Sequence, residues 1–149
     1  MKLTPEINAA VEKSVLCWLA TVSSDGTPNV SPKEMFTTFG DLIIIANIAS
    51  PQTIQNIKEQ SRVCLSFIDI LVQKGYQLKG EAEIVTKDEP GFPEMEKVLL
   101  KMTEELFPFR SITCITVESA KAIVAPRYFL FPDTKESDQV ERARKTYGL

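Results

Sequence analysis

Apolar and polar positions alternate along this chain in short blocks. Leu42-Ile43-Ile44-Ile45-Ala46 is an unbroken apolar run rich in branched side chains. Its length and β-branching predict a strand rather than a helix. After the polar Asn47 and Ser50, Ile54 and Ile57 fall on one side of a helical pattern that ends near Gln60-Ser61. Ser50 suits the N-cap of that helix and Pro51 its first turn. Val63 to Phe67 then predicts a strand, and from Tyr76 a period of two is clear. Leu78, Gly80, Ala82 and Ile84 share one face there, and Gln77, Lys79, Glu81 and Glu83 share the other. Gly80 and Ala82 leave little side-chain volume, which predicts tight barrel curvature or a close approach.

The remaining segments complete this outline. Pro5 to Ser14 predicts a helix capped by Thr4, with Ile7, Ala10 and Val11 as its apolar stripe. Val15 to Val22 and Pro28 to Phe36 read as strands joined by a turn at Asp25-Gly26. Pro28 and Pro32 lack ladder donors, so the second of these belongs at an edge or is irregular. With a further turn over Thr37 to Asp41, the chain up to Ala46 reads as a three-stranded antiparallel meander. Asp69 to Lys74 is either a strand end or a loop. Phe92 to Leu106 predicts the longest helix, with Met95, Val98, Leu99, Met102 and Leu106 at helical spacing. Ser111 to Val117 and Ser119 to Val124 read as one sheet segment with a kink, and Arg127 to Phe131 as a short aromatic segment. Glu136 to Thr146 is a surface helix docking through Val140, Ala143 and Tyr147, or a frayed charged tail.

Six or seven strands on hairpin links, with three or four helices between them, fit a small antiparallel barrel better than a doubly wound sheet. No dinucleotide glycine pattern or Walker sequence is present. Leu42–Ile45 and Val63–Phe67 are apolar on both faces. One face can fill a barrel; the other needs a helix or a second subunit over it, which predicts an oligomer.

Composition narrows the chemistry. A chain of 149 residues predicts one domain, with residues 1–14 as an N-terminal helix and 133–149 as a charged tail or helix. A net charge of -3 disfavours a nucleic-acid surface. No apolar run reaches membrane-spanning length, and the amino end lacks the apolar core of a secretory signal, so a cytoplasmic protein is expected. Cys17, Cys64 and Cys114 lie far apart in apolar runs, which predicts buried thiols rather than a disulfide or zinc framework. There is no histidine. Imidazole acid–base catalysis and histidine metal sites are therefore excluded, and any reaction rests on other side chains or on a bound cofactor. The corner at Ser50, Pro51 and Thr53 offers helix-start N–H groups and two hydroxyls, a candidate seat for a phosphate.

The ordered set Leu19-Ala20-Thr21-Val22, Asp25-Gly26, Pro28, Ile44–Ala46, Ser50 to Ile57, Arg62-Val63 and Tyr76 to Ala82 resembles the FMN-binding split β-barrel superfamily. That group includes the pyridoxamine 5'-phosphate oxidase-like proteins, and the resemblance covers roughly Val15 to Val124. It implies a homodimer with FMN in clefts between the subunits. Ser31, Lys33 and Glu34 would border the flavin. Ser50, Gln52 and Thr53 would hold its phosphate, with Asn56 supporting that loop. Gln77 and Lys79 would approach the isoalloxazine ring. Oxidase-like members place a basic pair after the corner serine; here Pro51 and Gln52 stand there. Lys33, Lys79 and Arg62 are the candidates to replace that charge. The family's carboxyl-terminal substrate signature of Arg, Trp and His is absent, which argues against true pyridoxamine phosphate oxidase activity. The resemblance therefore implies an FMN flavoprotein, an oxidoreductase of a small substrate with a nicotinamide donor, or an electron carrier. F420, haem and a cofactor-free dimer are the alternatives.

Overall fold

The computed structural model describes residues 1–103 and 107–149. Seven strands form one antiparallel sheet: β1 (Cys17–Val22), β2 (Pro28–Lys33), β3 (Phe36–Phe39), β4 (Leu42–Ala46), β5 (Arg62–Asp69), β6 (Lys74–Thr86) and β7 (Ser111–Val124). Their order is β2-β1-β5-β6-β7-β4-β3, and the sheet curls into a split barrel. The helices are α1 (Pro5–Lys13), α2 (Pro51–Glu59), α3 (Phe92–Thr103), α4 (Pro126–Leu130) and α5 (Glu136–Tyr147). The predicted Leu106 end of α3 lies outside the described residues.

The meander expected up to Ala46 does not form. Pro28 to Phe36 divides at Glu34-Met35 into two strands, and the first part of the expected turn, Thr37 to Phe39, belongs to β3. β2 pairs only with β1, and β3 only with β4, so the two hairpins occupy opposite edges of the sheet. Pro32, which cannot donate to a ladder, then sits on an edge strand, as its chemistry requires.

Two packed layers follow from strand parity. Cys17, Leu19, Val63, Leu65, Phe67, Leu78, Ala82, Ile43, Ile45, Ile115 and Val117 face inward and form the barrel core. α1 closes this core with Leu3, Ile7 and Val11, its start fixed by Thr4 Oγ1 accepting from the Ile7 amide at 3.2 Å. The outward residues Ile44, Ala46, Ile112 and Cys114 are covered by Phe92, Met95 and Leu99 of α3. Each such buried side chain contributes roughly 1.5–3 kcal/mol of apolar burial. A helix therefore covers the second face of β4, while among the described residues no helix covers the outer face of β1 and β5, where Trp18 and Ile68 stay exposed. Met102, expected on the packed stripe of α3, is 44% exposed.

Curvature is set where β6 crosses its neighbours. A Cβ on Gly80 would lie 2.0 Å from the Thr116 carbonyl oxygen, and one on Gly75 would lie 2.0 Å from that of Phe67. The ladder between β6 and β7 shifts register between Lys79 and Gly80, the kink expected near Glu118. The charged tail is the docked helix α5, with Gln139 and Ala143 buried, Val140 half-buried and Tyr147 largely exposed.

Candidate functional site

β2 ends where α2 begins in space, and the polar residues of both meet there. Lys33 pairs with Cys17 across the β1–β2 ladder, which turns its side chain to the inner face. Ser31, two residues earlier, shares that face. Lys33 is 7% exposed, and its ammonium donates to Ser50 Oγ at 2.6 Å and to Thr53 Oγ1 at 3.4 Å. Ser31 Oγ lies 3.3 Å from Thr53 Oγ1. The three hydroxyls and the ammonium form one cluster.

Ser50 differs from the expected cap. Its carbonyl accepts the Ile54 amide at 3.1 Å, but its hydroxyl makes no capping bond and is taken by Lys33 instead. Pro51 has no N–H, so the amides of Gln52 and Thr53 are the free donors of this first turn. Behind the cluster, Gln52 Nε2 donates to Asn56 Oδ1 at 2.7 Å, and Asn56 Nδ2 donates to Thr21 Oγ1 at 2.9 Å. Asn56 and Thr21 are each 1% exposed. This buried chain ties α2 to β1 and fixes the helix start relative to Lys33. Sequence reading passed over Thr21. Its signal was parity, because position 21 points inward with Cys17 and Leu19, where a polar residue needs a partner.

Burial pushes the Lys33 ammonium below its ordinary pKa, and no carboxylate ion-pairs with it among the described residues. The adjacent Glu34 does not pair with it and is exposed beside the cleft. The neighbouring thiol, Cys17, is pushed up to about 12 by the same burial, so it supplies no counter-charge. A cleft of about 290 Å³ opens on the cluster, bordered by Lys33, Glu34, Met35, Ile48, Ser50 and Phe107.

Of the three candidates to replace the basic pair, only Lys33 lies at the corner. Arg62 is exposed and pairs with Glu118 at 2.8 Å and Glu81 at 3.5 Å. Lys79 is exposed on β6 opposite Cys64 and Ser119. Gln77 pairs with Ser66, which pairs with Trp18, so Gln77 and Lys79 stand on the outer face. Within one chain they are on the opposite face from Lys33 and three strands away, roughly 14 Å at sheet spacing. The structure thus brings Ser31, Lys33, Ser50, Gln52, Thr53 and Asn56 together and separates Gln77 and Lys79 from them. Cys64 also corrects its expectation, being half-buried on the outer face rather than in the core.

The family model for pyridoxamine 5'-phosphate oxidase matches residues 3–124. The chain belongs to the pyridoxamine 5'-phosphate oxidase family. Among solved structures, a candidate pyridoxamine 5'-phosphate oxidase from Lactobacillus delbrueckii is 27% identical, covering 80% of this chain and 93% of its own, with a TM-score of 0.65. HupZ of Group A Streptococcus is 25% identical over 79% of this chain and 91% of its own, at a TM-score of 0.67. An FMN-binding protein from Syntrophomonas wolfei shares the fold at 17% identity and a TM-score of 0.67, over 80% of this chain and 84% of its own. No curated protein sequence matches. No helix among the described residues is long and apolar enough to cross a membrane, and no group of three acidic or thiol side chains is placed to hold a metal ion.

Proposed function

We propose that this family member is an FMN-binding flavoprotein that works as a homodimer, as an oxidoreductase of a small substrate or an electron carrier. The observation that carries this reading is Lys33: a buried ammonium held by hydroxyls and lacking a carboxylate. A buried cation is costly unless it is paired, and a phosphate is the counter-charge that the surrounding donors fit. Ser31, Ser50 and Thr53 supply hydroxyls, the first turn of α2 supplies amides, and Gln52 and Asn56 brace that turn. Lys33 takes over the charge that relatives place where Pro51 and Gln52 stand.

The flavin, when bound, supplies the hydride or electron chemistry, which accounts for a site without histidine. The protein's part is to hold the phosphate and to keep the ring dry. The outer face of the sheet supports the dimer. Val30 is 59% exposed, Trp18 49% and Ile68 38%, and an apolar cleft of about 690 Å³ runs beside Trp18 and Ile68. A second copy over this face would carry Gln77 and Lys79 to its partner's flavin, a meeting that one chain does not allow. Glu34 would border the cleft from the β2–β3 crossing.

Titration of purified protein with FMN, followed by flavin fluorescence, tests the reading. Saturable quenching at one FMN per subunit, in a species that sediments as a dimer, is expected. Trp18→Glu should yield monomers with weakened FMN binding. A folded dimer that ignores FMN rejects the cofactor, and direct binding of F420 or haem would then be measured on the same protein. A strict monomer at micromolar concentration rejects the interface.

A further inference from the structure

The Ser50 corner carries little positive charge for a phosphate seat. Lys33 on β2 is its one cation among the described residues. Cys17 on β1, pushed up to about 12, is neutral, and Ser31, Ser50, Gln52 and Thr53 carry no charge. α2 has no acidic residue in its first turn, and its own charges, Lys58 and Glu59, stand in its last turn, roughly 10 Å away along the axis. The cleft adds one exposed carboxylate, Glu34, from the β2–β3 crossing. Phe107, which borders the cleft from between α3 and β7, adds no charge.

Gln52 stands at the exposed start of α2, and its Nε2 is directed to Asn56 Oδ1 at 2.7 Å rather than to the cluster. Pro51 beside it has no N–H to offer. These groups balance one negative charge. The ammonium supplies one unit and the helix start roughly half a unit, while Glu34 at the rim opposes both. A phosphate monoester carries nearly two charges at neutral pH. The second has no counter-ion at this corner, and a neighbouring like charge favours the protonated form. The hydroxyls accommodate that proton, because each accepts as well as donates.

We infer that this corner selects a phosphate of one negative charge, a diester or a singly protonated monoester, over the doubly charged monoester, and that Gln52 sets the preference. The inference rests on the reading that the corner holds the flavin phosphate.

The test is fluorescence titration of the full chain with FMN, riboflavin 4',5'-cyclic phosphate and riboflavin, between about pH 5 and about pH 8. The cyclic ester is a diester and keeps one charge throughout. Lys33 acts on both phosphates, so its own titration cancels in the ratio of their affinities. The ratio of FMN to cyclic ester should fall about tenfold across this range, around the monoester's second pKa of about 6, because one pKa unit is a factor of ten. Tighter binding of the cyclic ester at the upper end identifies the diester as the preferred source; tighter FMN binding throughout, with the same fall, identifies the protonated monoester. Riboflavin should bind more weakly than either. Gln52 is exposed, so Gln52→Lys should fold, and its added cation should hold the ratio constant to within about twofold. A ratio that stays flat in the unaltered protein, with FMN still bound more tightly than riboflavin, overturns this inference and leaves the flavin reading standing. An undiminished fall in Gln52→Lys overturns the role of position 52. Failure of all three ligands to bind rejects the flavin reading and this inference together.

Discussion

Replacing Lys33 by methionine separates a binding role from a structural one by the sign of two effects. Methionine has similar length and fills the slot between β2 and α2 without a charge. In the free protein Lys33 is 7% exposed, and among the described residues its ammonium is held by Ser50 and Thr53. Removing a buried, uncompensated charge is neutral or stabilising, so the free variant should unfold at the same or a higher denaturant concentration. In the complex the same change deletes a charge-assisted bond worth roughly 1.5–3 kcal/mol, which weakens FMN by about 10- to 150-fold. Fluorescence titration gives the second quantity and urea unfolding the first.

The pH dependence follows from the same residue. Its pKa is lowered by burial, so the unfolded chain binds more protons than the folded one between that lowered value and the ordinary lysine value of about 10.4. Free-protein stability should therefore rise across that alkaline window. FMN affinity should fall there, as the ammonium loses its proton. Both trends should vanish in Lys33→Met. A variant that keeps FMN affinity within about twofold, a change below 0.5 kcal/mol, would refute the assignment of Lys33 to the phosphate.

Three further outcomes are expected. Asn56→Ala leaves the buried Thr21 hydroxyl and the Gln52 amide without their partner, and should cost about 1–3 kcal/mol in chemical denaturation. Gly80→Ala drives a Cβ to 2.0 Å from the Thr116 carbonyl oxygen, a backbone atom that cannot swing aside; a loss above about 4 kcal/mol, or no soluble protein, is expected, and a near-native melting temperature would contradict the close crossing. Burial pushes Cys17 and Cys114 up to about 12, so a thiol reagent at pH 8 should modify the half-buried Cys64 first, as read by mass spectrometry of partly labelled protein.

Much of the fold is legible from local signals. The Thr4-Pro5 start of α1, the Ser50-Pro51 start of α2 and the alternation along β6 depend on residues a few positions apart, and each falls where the pattern puts it. Ser50 and Thr53 were legible as a phosphate seat from the helix start itself, and the grouping of Ser31, Lys33 and Asn56 with them came through the family resemblance. Their hydrogen bonds came only from the coordinates. Thr21 was readable by parity alone, as a polar residue in the inward series of β1. Cys64 was misplaced because an apolar run does not say which of its faces is covered.

By itself the sequence determined most of the elements and the starts of α1 and α2, since steric and capping preferences act within one turn or one hairpin. It also determined the exclusion of imidazole chemistry, which is a matter of composition. The edge position of β2 was already signalled by Pro28 and Pro32; that of β3 was decided by tertiary structure, because a hairpin signal specifies a turn but not the strand beyond it. So was the choice of Lys33 over Arg62 and Lys79 as the corner's cation. All three carry the same charge in the sequence, and only the folded sheet buries one of them against hydroxyls while leaving Arg62 paired with glutamates and Lys79 in solvent.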